Sequence, residues 1–134
     1  MTNQILNKVL SDMLEDGMAL LRIEQSERPV SAMSLRQVQS RFAFMIALLL
    51  IKAKSLGYEY TFGESYDDDN AGHMKGSLHY IRLAQDLNLF KDGKFLDKNE
   101  DHKPLAEWWE SIGGTAGYRF SDGNHYSLAY GGKK

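Results

Sequence analysis

The sequence predicts an α+β fold in which N-terminal helices pack on a small antiparallel sheet. Three observations lead there: apolar positions at helical spacing over roughly the first 56 residues, short alternating or aromatic segments separated by turn residues after that, and one late helix-like segment closed by a pair of glycines. With 134 residues, 43% hydrophobic and 25% charged, the chain has the size and composition of one globular domain, 1–134, with 1–33 as an additional N-terminal helix.

The first helix rests on Ile5, Leu6, Val9, Leu10, Met13 and Leu14, continuing through Met18 and Leu21 until Pro29 interrupts it. Ser34 starts the second, because its hydroxyl can cap free amides while Gln37 reaches back in a capping box. That helix is expected to run to Leu56, with Gly57 as its left-handed stop. Tyr58 to Phe62 reads as a short strand, and Asp67, Asp68, Asp69 and Asn70 as a solvated acidic loop. Leu83 to Phe90 forms the next strand, with Asp86, Asn88 and Phe90 alternating against Leu83, Leu87 and Leu89, and Lys91 to Lys94 turns it into a hairpin. A short helix follows from Pro104 to Ile112, ended by Gly113 and Gly114. The tail from Tyr118 to Tyr130 is expected to be extended around an Asp122-Gly123 turn.

Composition removes several function classes. A net charge of −2 offers no attraction for a phosphate backbone, so no nucleic acid partner is expected. Without cysteine, thiolate zinc sites and cysteine nucleophiles are excluded, and a metal would need histidine and carboxylate ligands. Phe42 to Ile51 is the most apolar run, yet it is about half the ~20 residues that cross a bilayer and is flanked by Arg41 and Lys52. It is a core helix, and no stable membrane insertion is expected. The N-terminus lacks the basic, apolar, small-residue order of a signal peptide, so cytoplasmic synthesis is expected.

Two segments concentrate chemistry: SLHYIRLAQD from Ser77 to Asp86 and SDGNHYSL from Ser121 to Leu128. Together they hold two histidines and two acids near strand ends. A catalytic zinc takes three protein ligands and keeps a fourth position open, and two imidazoles with one carboxylate leave it enough positive charge to acidify water. A second carboxylate must then accept the proton. Asp86 and Asp122 are both candidates, and Asp122, three residues before His125 across a glycine turn, is placed to reach water beside that imidazole. Asp86 is therefore assigned to the metal with His79 and His125, and Asp122 to the base.

Ser77, His79, Ala84 and Asp86 match the pattern S-x-H-x-x-x-x-A-x-D, and Asp122, Gly123 and His125 match D-G-x-H. In both motifs the chain resembles the zinc D-alanyl-D-alanine carboxypeptidase and L-alanyl-D-glutamate endopeptidase superfamily, whose core is similar to Hedgehog N-terminal domains. The likeness is greatest to small bacteriophage members: RLAQDLNLF from Arg82, the Asp92-Gly93 turn, Trp108 and Trp109, and FSDGNHYS from Phe120. It extends over roughly Ser34 to Tyr130. The resemblance implies a zinc ion on His79, Asp86 and His125, Asp122 as catalytic base, and an endolysin-like hydrolase of the peptidoglycan stem peptide. It would be held in the host cytoplasm before lysis and act on the wall as a monomer. Ser77 and Arg82 are the expected substrate-binding residues. Asp67 stands where relatives carry an arginine that holds a substrate carboxylate or carbonyl. Lys75, Arg82 or Arg119 could supply that charge instead. The alternative is a zinc-stabilised binding or virion module without hydrolysis.

Of the remaining residues, His73 and His102 are expected at the surface. Trp108 and Trp109 point about 100° apart on a helix, with core packing as their main role.

Overall fold

The computed structural model describes residues 3–64 and 77–134. The acidic loop at Asp67 to Asn70, His73 and Lys75 lie outside the described residues. The chain divides into two compact units, Met1–Tyr58 and Glu59–Lys134. The fold class is α+β, with helices in the N-terminal part and an antiparallel sheet in the C-terminal part.

In the first unit, α1 (Asn3–Glu27) and α2 (Leu35–Ser55) form a helical hairpin. Arg28 N still donates to Glu24 O, but Pro29 has no amide hydrogen and the helix stops. A single 3-10 turn, Val30–Ala32, precedes the cap. At Ser34 the capping box forms as expected: Gln37 N donates to Ser34 Oγ at 3.2 Å and Ser34 N donates to Gln37 Oε1 at 2.9 Å. The C-terminus of α2 closes on Gly57 (φ 86), with Tyr58 N donating to Ala53 O and Gly57 N to Lys54 O, each at 3.0 Å. These are the two bonds that satisfy orphan carbonyls in a left-handed helix stop. Leu10, Leu14 and Leu21 are buried along one stripe of α1. Within that stripe a side chain at Gly17 would overlap Leu48 of α2. One helical step further on, Arg41 Nη2 donates to Glu24 O at 2.9 Å, so the two helices run antiparallel.

The second unit is organised around β2 (Ala84–Lys91). Its C-terminal half pairs with β1 (Glu59–Phe62) and turns through Asp92 (φ 52) and Gly93 (φ 76) into β3 (Lys94–Phe95). Its N-terminal half pairs with β5 (His125–Ser127), and β5 pairs with β4 (Thr115–Ala116). All these pairings are antiparallel. Leu87 and Leu89 are buried on one face of β2, while Asp86 and Asn88 occupy the other, half-buried, in the predicted alternation.

Helix α3 (Lys103–Ser111) carries Pro104 in its first turn, where the missing amide hydrogen costs nothing. Trp109 is fully buried, and its Nε1 donates to Thr115 O at 3.1 Å and Ser127 O at 3.0 Å, tying α3 to both β4 and β5. Gly114 is needed for that approach, since a Cβ there would overlap the indole ring. Trp108 is only half-buried, as the 100° separation requires.

Two sequence expectations are corrected. The segment at Tyr118 is not extended; Gly117–Phe120 is a 3-10 turn, and Asp122 N donates back to Gly117 O at 2.8 Å after Ser121 takes a left-handed conformation (φ 61), while His125–Ser127 of the same tail is the strand β5. The aromatic residues that read as strand are turn residues closing a loop. His102 is not at the surface. It is buried, and its Nδ1 shares a 2.9 Å hydrogen bond with the Tyr126 hydroxyl.

Burial pushes His102 down from its ordinary 6.5 to about 4, against the opposing charge of Asp101. The unfolded ring therefore takes up a proton between 6.5 and 4 that the folded ring refuses. Its contribution to stability is complete above pH 6.5 and is lost as pH falls towards 4. Urea titrations across that window should show wild type losing roughly 2–3 kcal/mol more than His102→Gln. Equal slopes for the two proteins would refute a neutral buried ring.

Candidate metal centre

His79, Asp86 and His125 reach one point from three different local structures. Asp86 and His125 are directly opposed in the β2–β5 register, and opposed residues of an antiparallel pair project from the same face. His79 comes from a 3-10 turn, Leu78–Ile81, just before β2. Ser77 Oγ caps that turn by accepting from His79 N at 3.2 Å. Arg82 ends it in the left-handed region (φ 57), and Leu83 N then donates to Leu78 O at 2.9 Å, which folds the turn back onto the start of the strand. Leu78 beside it is fully buried and anchors the turn.

His79 Nε2 lies 3.2 Å from His125 Nδ1 and 3.2 Å from Asp86 Oδ1, and His125 Nδ1 lies 3.8 Å from Asp86 Oδ1. Donors bound at 2.0–2.1 Å around a tetrahedral ion stand about 3.4 Å apart. The three atoms therefore have the separations of three corners of a metal coordination shell. The site is also largely desolvated: the side chains of His79, His125 and Asp86 are 2%, 6% and 17% exposed. Asp86 Oδ1 is buried and accepts no hydrogen bond of good geometry. A buried carboxylate oxygen in that condition is costly unless a cation meets it. The residues present thus fit a divalent metal, and the group His79–Asp86–His125 can hold one.

Asp122 is at the edge of the cluster. Its Oδ2 is 3.8 Å from His125 Nδ1, and its side chain is 53% exposed. A carboxylate so placed can reach a water beside the three donors while exchanging protons with solvent. It also lines a cavity of about 250 Å³ bordered by Asn88, Lys98, Asn99, His102 and Asn124. Asn99 Nδ2 donates to Tyr118 O at 3.1 Å, holding the two sides of this cavity together.

The structure brings together the three predicted ligands and the predicted base. It places Ser77 on the His79 amide as a cap and Arg82 at an exposed corner. Arg119 forms a two-pronged pair with Glu110, Nη2 to Oε1 at 2.8 Å and Nε to Oε2 at 3.0 Å, and through that hydrogen bond holds the Glu110 carboxyl below its ordinary range. Its guanidinium is thereby committed to α3.

Positioning residues that sequence reasoning missed are glycines, Gln85 and Phe120. A Cβ at Gly117 would overlap Asp122 O and stand 2.6 Å from His125 Cβ, and one at Gly63 would stand 3.0 Å from Asp86 Cβ. Gln85 Nε2 donates to Asp86 O at 2.8 Å and Gly63 O at 3.3 Å, fixing the segment that flanks the carboxylate. Phe120 sets its ring edge-on to His125 at 5.7 Å. The sequence signal for Gly117 was only its proximity to the second motif.

No family model matches the chain, and no curated protein matches it significantly.

Calorimetric titration with Zn²⁺ or Co²⁺ checks the centre. His79→Ala or Asp86→Ala should weaken binding at least about 100-fold, and Gly117→Ala, which keeps all three donor side chains but crowds His125, about tenfold. Unchanged affinity in the ligand variants would rule the cluster out as a metal site.

Proposed function

We propose that the chain is a zinc-dependent peptidase that hydrolyses an amide bond in the peptidoglycan stem peptide, L-alanyl-D-glutamate or D-alanyl-D-alanine. The observation that carries this reading is the half-exposed Asp122 carboxylate 3.8 Å from a ligand nitrogen of a three-donor cluster. A structural metal site closes its coordination with four protein ligands and has no use for a further acid at its edge. Two imidazoles and one carboxylate, with no thiolate in the sequence, form a donor set that zinc takes in hydrolytic sites.

When bound, zinc would supply a Lewis acid that acidifies water and polarises the scissile carbonyl. His79, Asp86 and His125 would hold it from a dry face of the sheet. Asp122 would take the proton of the attacking water and return it to the leaving amine, as its exposure and reach allow. The polar cavity beside Asp122 gives the peptide a place to lie, with Asn88, Asn99 and Asn124 offering amides to its backbone. With Arg119 bound to Glu110, Lys98 at the cavity and the exposed Arg82 after the His79 turn are the cations proposed for stem-peptide carboxylates.

Among the described residues no helix is long and apolar enough to cross a membrane.

The test is release of muropeptides from purified sacculi, with mass analysis of the products. Wild type with zinc should be active and a chelator should abolish activity. Asp122→Asn should keep its zinc while losing roughly 10²–10⁴-fold in rate. A wild-type protein that binds zinc and cleaves neither bond would instead be the zinc-stabilised binding or virion module.

A further inference from the structure

Helix α1 carries two apolar stripes, and only one of them is used within its own unit. Leu10, Leu14 and Leu21 are buried. Leu6, Val9, Met13, Leu20 and Ile23 are 37%, 45%, 49%, 48% and 55% exposed. Of the nine large apolar side chains exposed among the described residues, these five belong to one helix face. Such clustering marks an interaction surface, whereas single exposed apolar residues do not.

The spacing says what kind of surface it is. Leu6, Met13 and Leu20 recur every seven residues, and Val9, Asp16 and Ile23 recur every seven residues three positions later. These are the a and d positions of three consecutive heptads, the period by which one helix packs along another. A lipid surface fits less well, because Asp16 falls in the middle of the stripe and the adjoining polar positions Asp12 and Glu15 are also acidic.

We infer that this face binds the same face of a second copy of the chain, as an antiparallel two-stranded coiled coil about a two-fold axis. Antiparallel packing sets a positions against d positions. With the axis between residues 14 and 15, Leu6 meets the partner's Ile23, Val9 meets the partner's Leu20, and Met13 meets the partner's Asp16. The register is self-complementary, as a two-fold interface requires. A parallel pair would instead set Asp16 against its own copy in one buried layer, with like charges in a low dielectric. With five side chains 37–55% exposed on each copy, a pair with its flanking stems removes on the order of 1,000 Å², at the lower bound for a specific interface. An interface of that size belongs to the weak, reversible class.

Sedimentation velocity of the full chain from about 1 to 100 µM should show a shift from monomer to twice the monomer mass. Met13→Glu with Leu20→Glu should remain monomeric with an unchanged circular dichroism spectrum, since both side chains face solvent in one copy. Asp16→Asn should tighten the dimer severalfold by removing two buried charges. Orientation is read by cross-linking, which the cysteine-free sequence makes clean. Val9→Cys with Leu20→Cys should form interchain disulfides, whereas Leu20→Cys alone should form none, its two copies standing about 16 Å apart along the axis. Wild type that stays monomeric at 100 µM overturns the proposal, and if it then sediments with neutral or anionic vesicles the face belongs to lipid. Disulfide formation by Leu20→Cys alone overturns the antiparallel arrangement.

Discussion

The pairing of β2 with β5 is the constraint on which the second unit depends. Its register sets Asp86 opposite His125, and because side chains alternate strictly, a slip of one residue would send either donor to the opposite face. The register is held from several directions. Leu87 N donates to Asn124 O at one end and Leu128 N to Leu83 O at the other, 2.8 and 3.0 Å. Trp109 holds the Ser127 carbonyl from α3, and Tyr126, fully buried on the face away from the metal donors, is bonded to His102. The packing of the late helix is thus part of the metal centre.

Close backbone approach is the second requirement. Three donors can converge within about 4 Å only if the chain segments behind them come equally near. At Gly117 that nearness leaves no room for a side chain, and at Gly63 a Cβ would stand only 3.0 Å from that of Asp86. The 3-10 turn carrying His79 needs its own device, the Ser77 cap and a left-handed Arg82, to fold onto the strand it precedes. A non-glycine residue at positive φ costs of order 1 kcal/mol, which the burial of Leu78 and His79 offsets. Ser77 thereby acts on the site through the backbone of a ligand.

The helical hairpin follows a different logic. Its ends are specified by local chemistry, a capping box at Ser34 and a glycine stop at Gly57. In its interior the Leu48 side chain fills the space beside Gly17 that a Cβ would take. Because α1 is apolar on more than one stripe, folding of the hairpin leaves a face at heptad spacing open to another helix.

Much of this was legible in the sequence because it is local. Capping boxes, glycine stops, the Asp92-Gly93 hairpin and the alternation of β2 are settled by residues within a few positions of one another. The two histidine motifs could be read for the same reason, since each lies within ten residues. The rest depends on partners far apart in the chain. That the motifs meet with 3.2 Å between imidazole nitrogens, that Arg119 is bound to Glu110, and that His102 is a buried partner of Tyr126 all follow from long-range packing. The loop from Gly117 misled because Tyr118 and Phe120 have strand composition, while the turn they form is fixed by a carbonyl five residues from its donor and by contact with Asp122 and His125. By itself the sequence determined the fold class, the element order apart from the short strand β4, and the four residues proposed for the chemistry. Only the tertiary structure decided that three of them share one dry point with the fourth at its wet edge, because desolvation and distance are properties of packed segments and not of spacing along a chain.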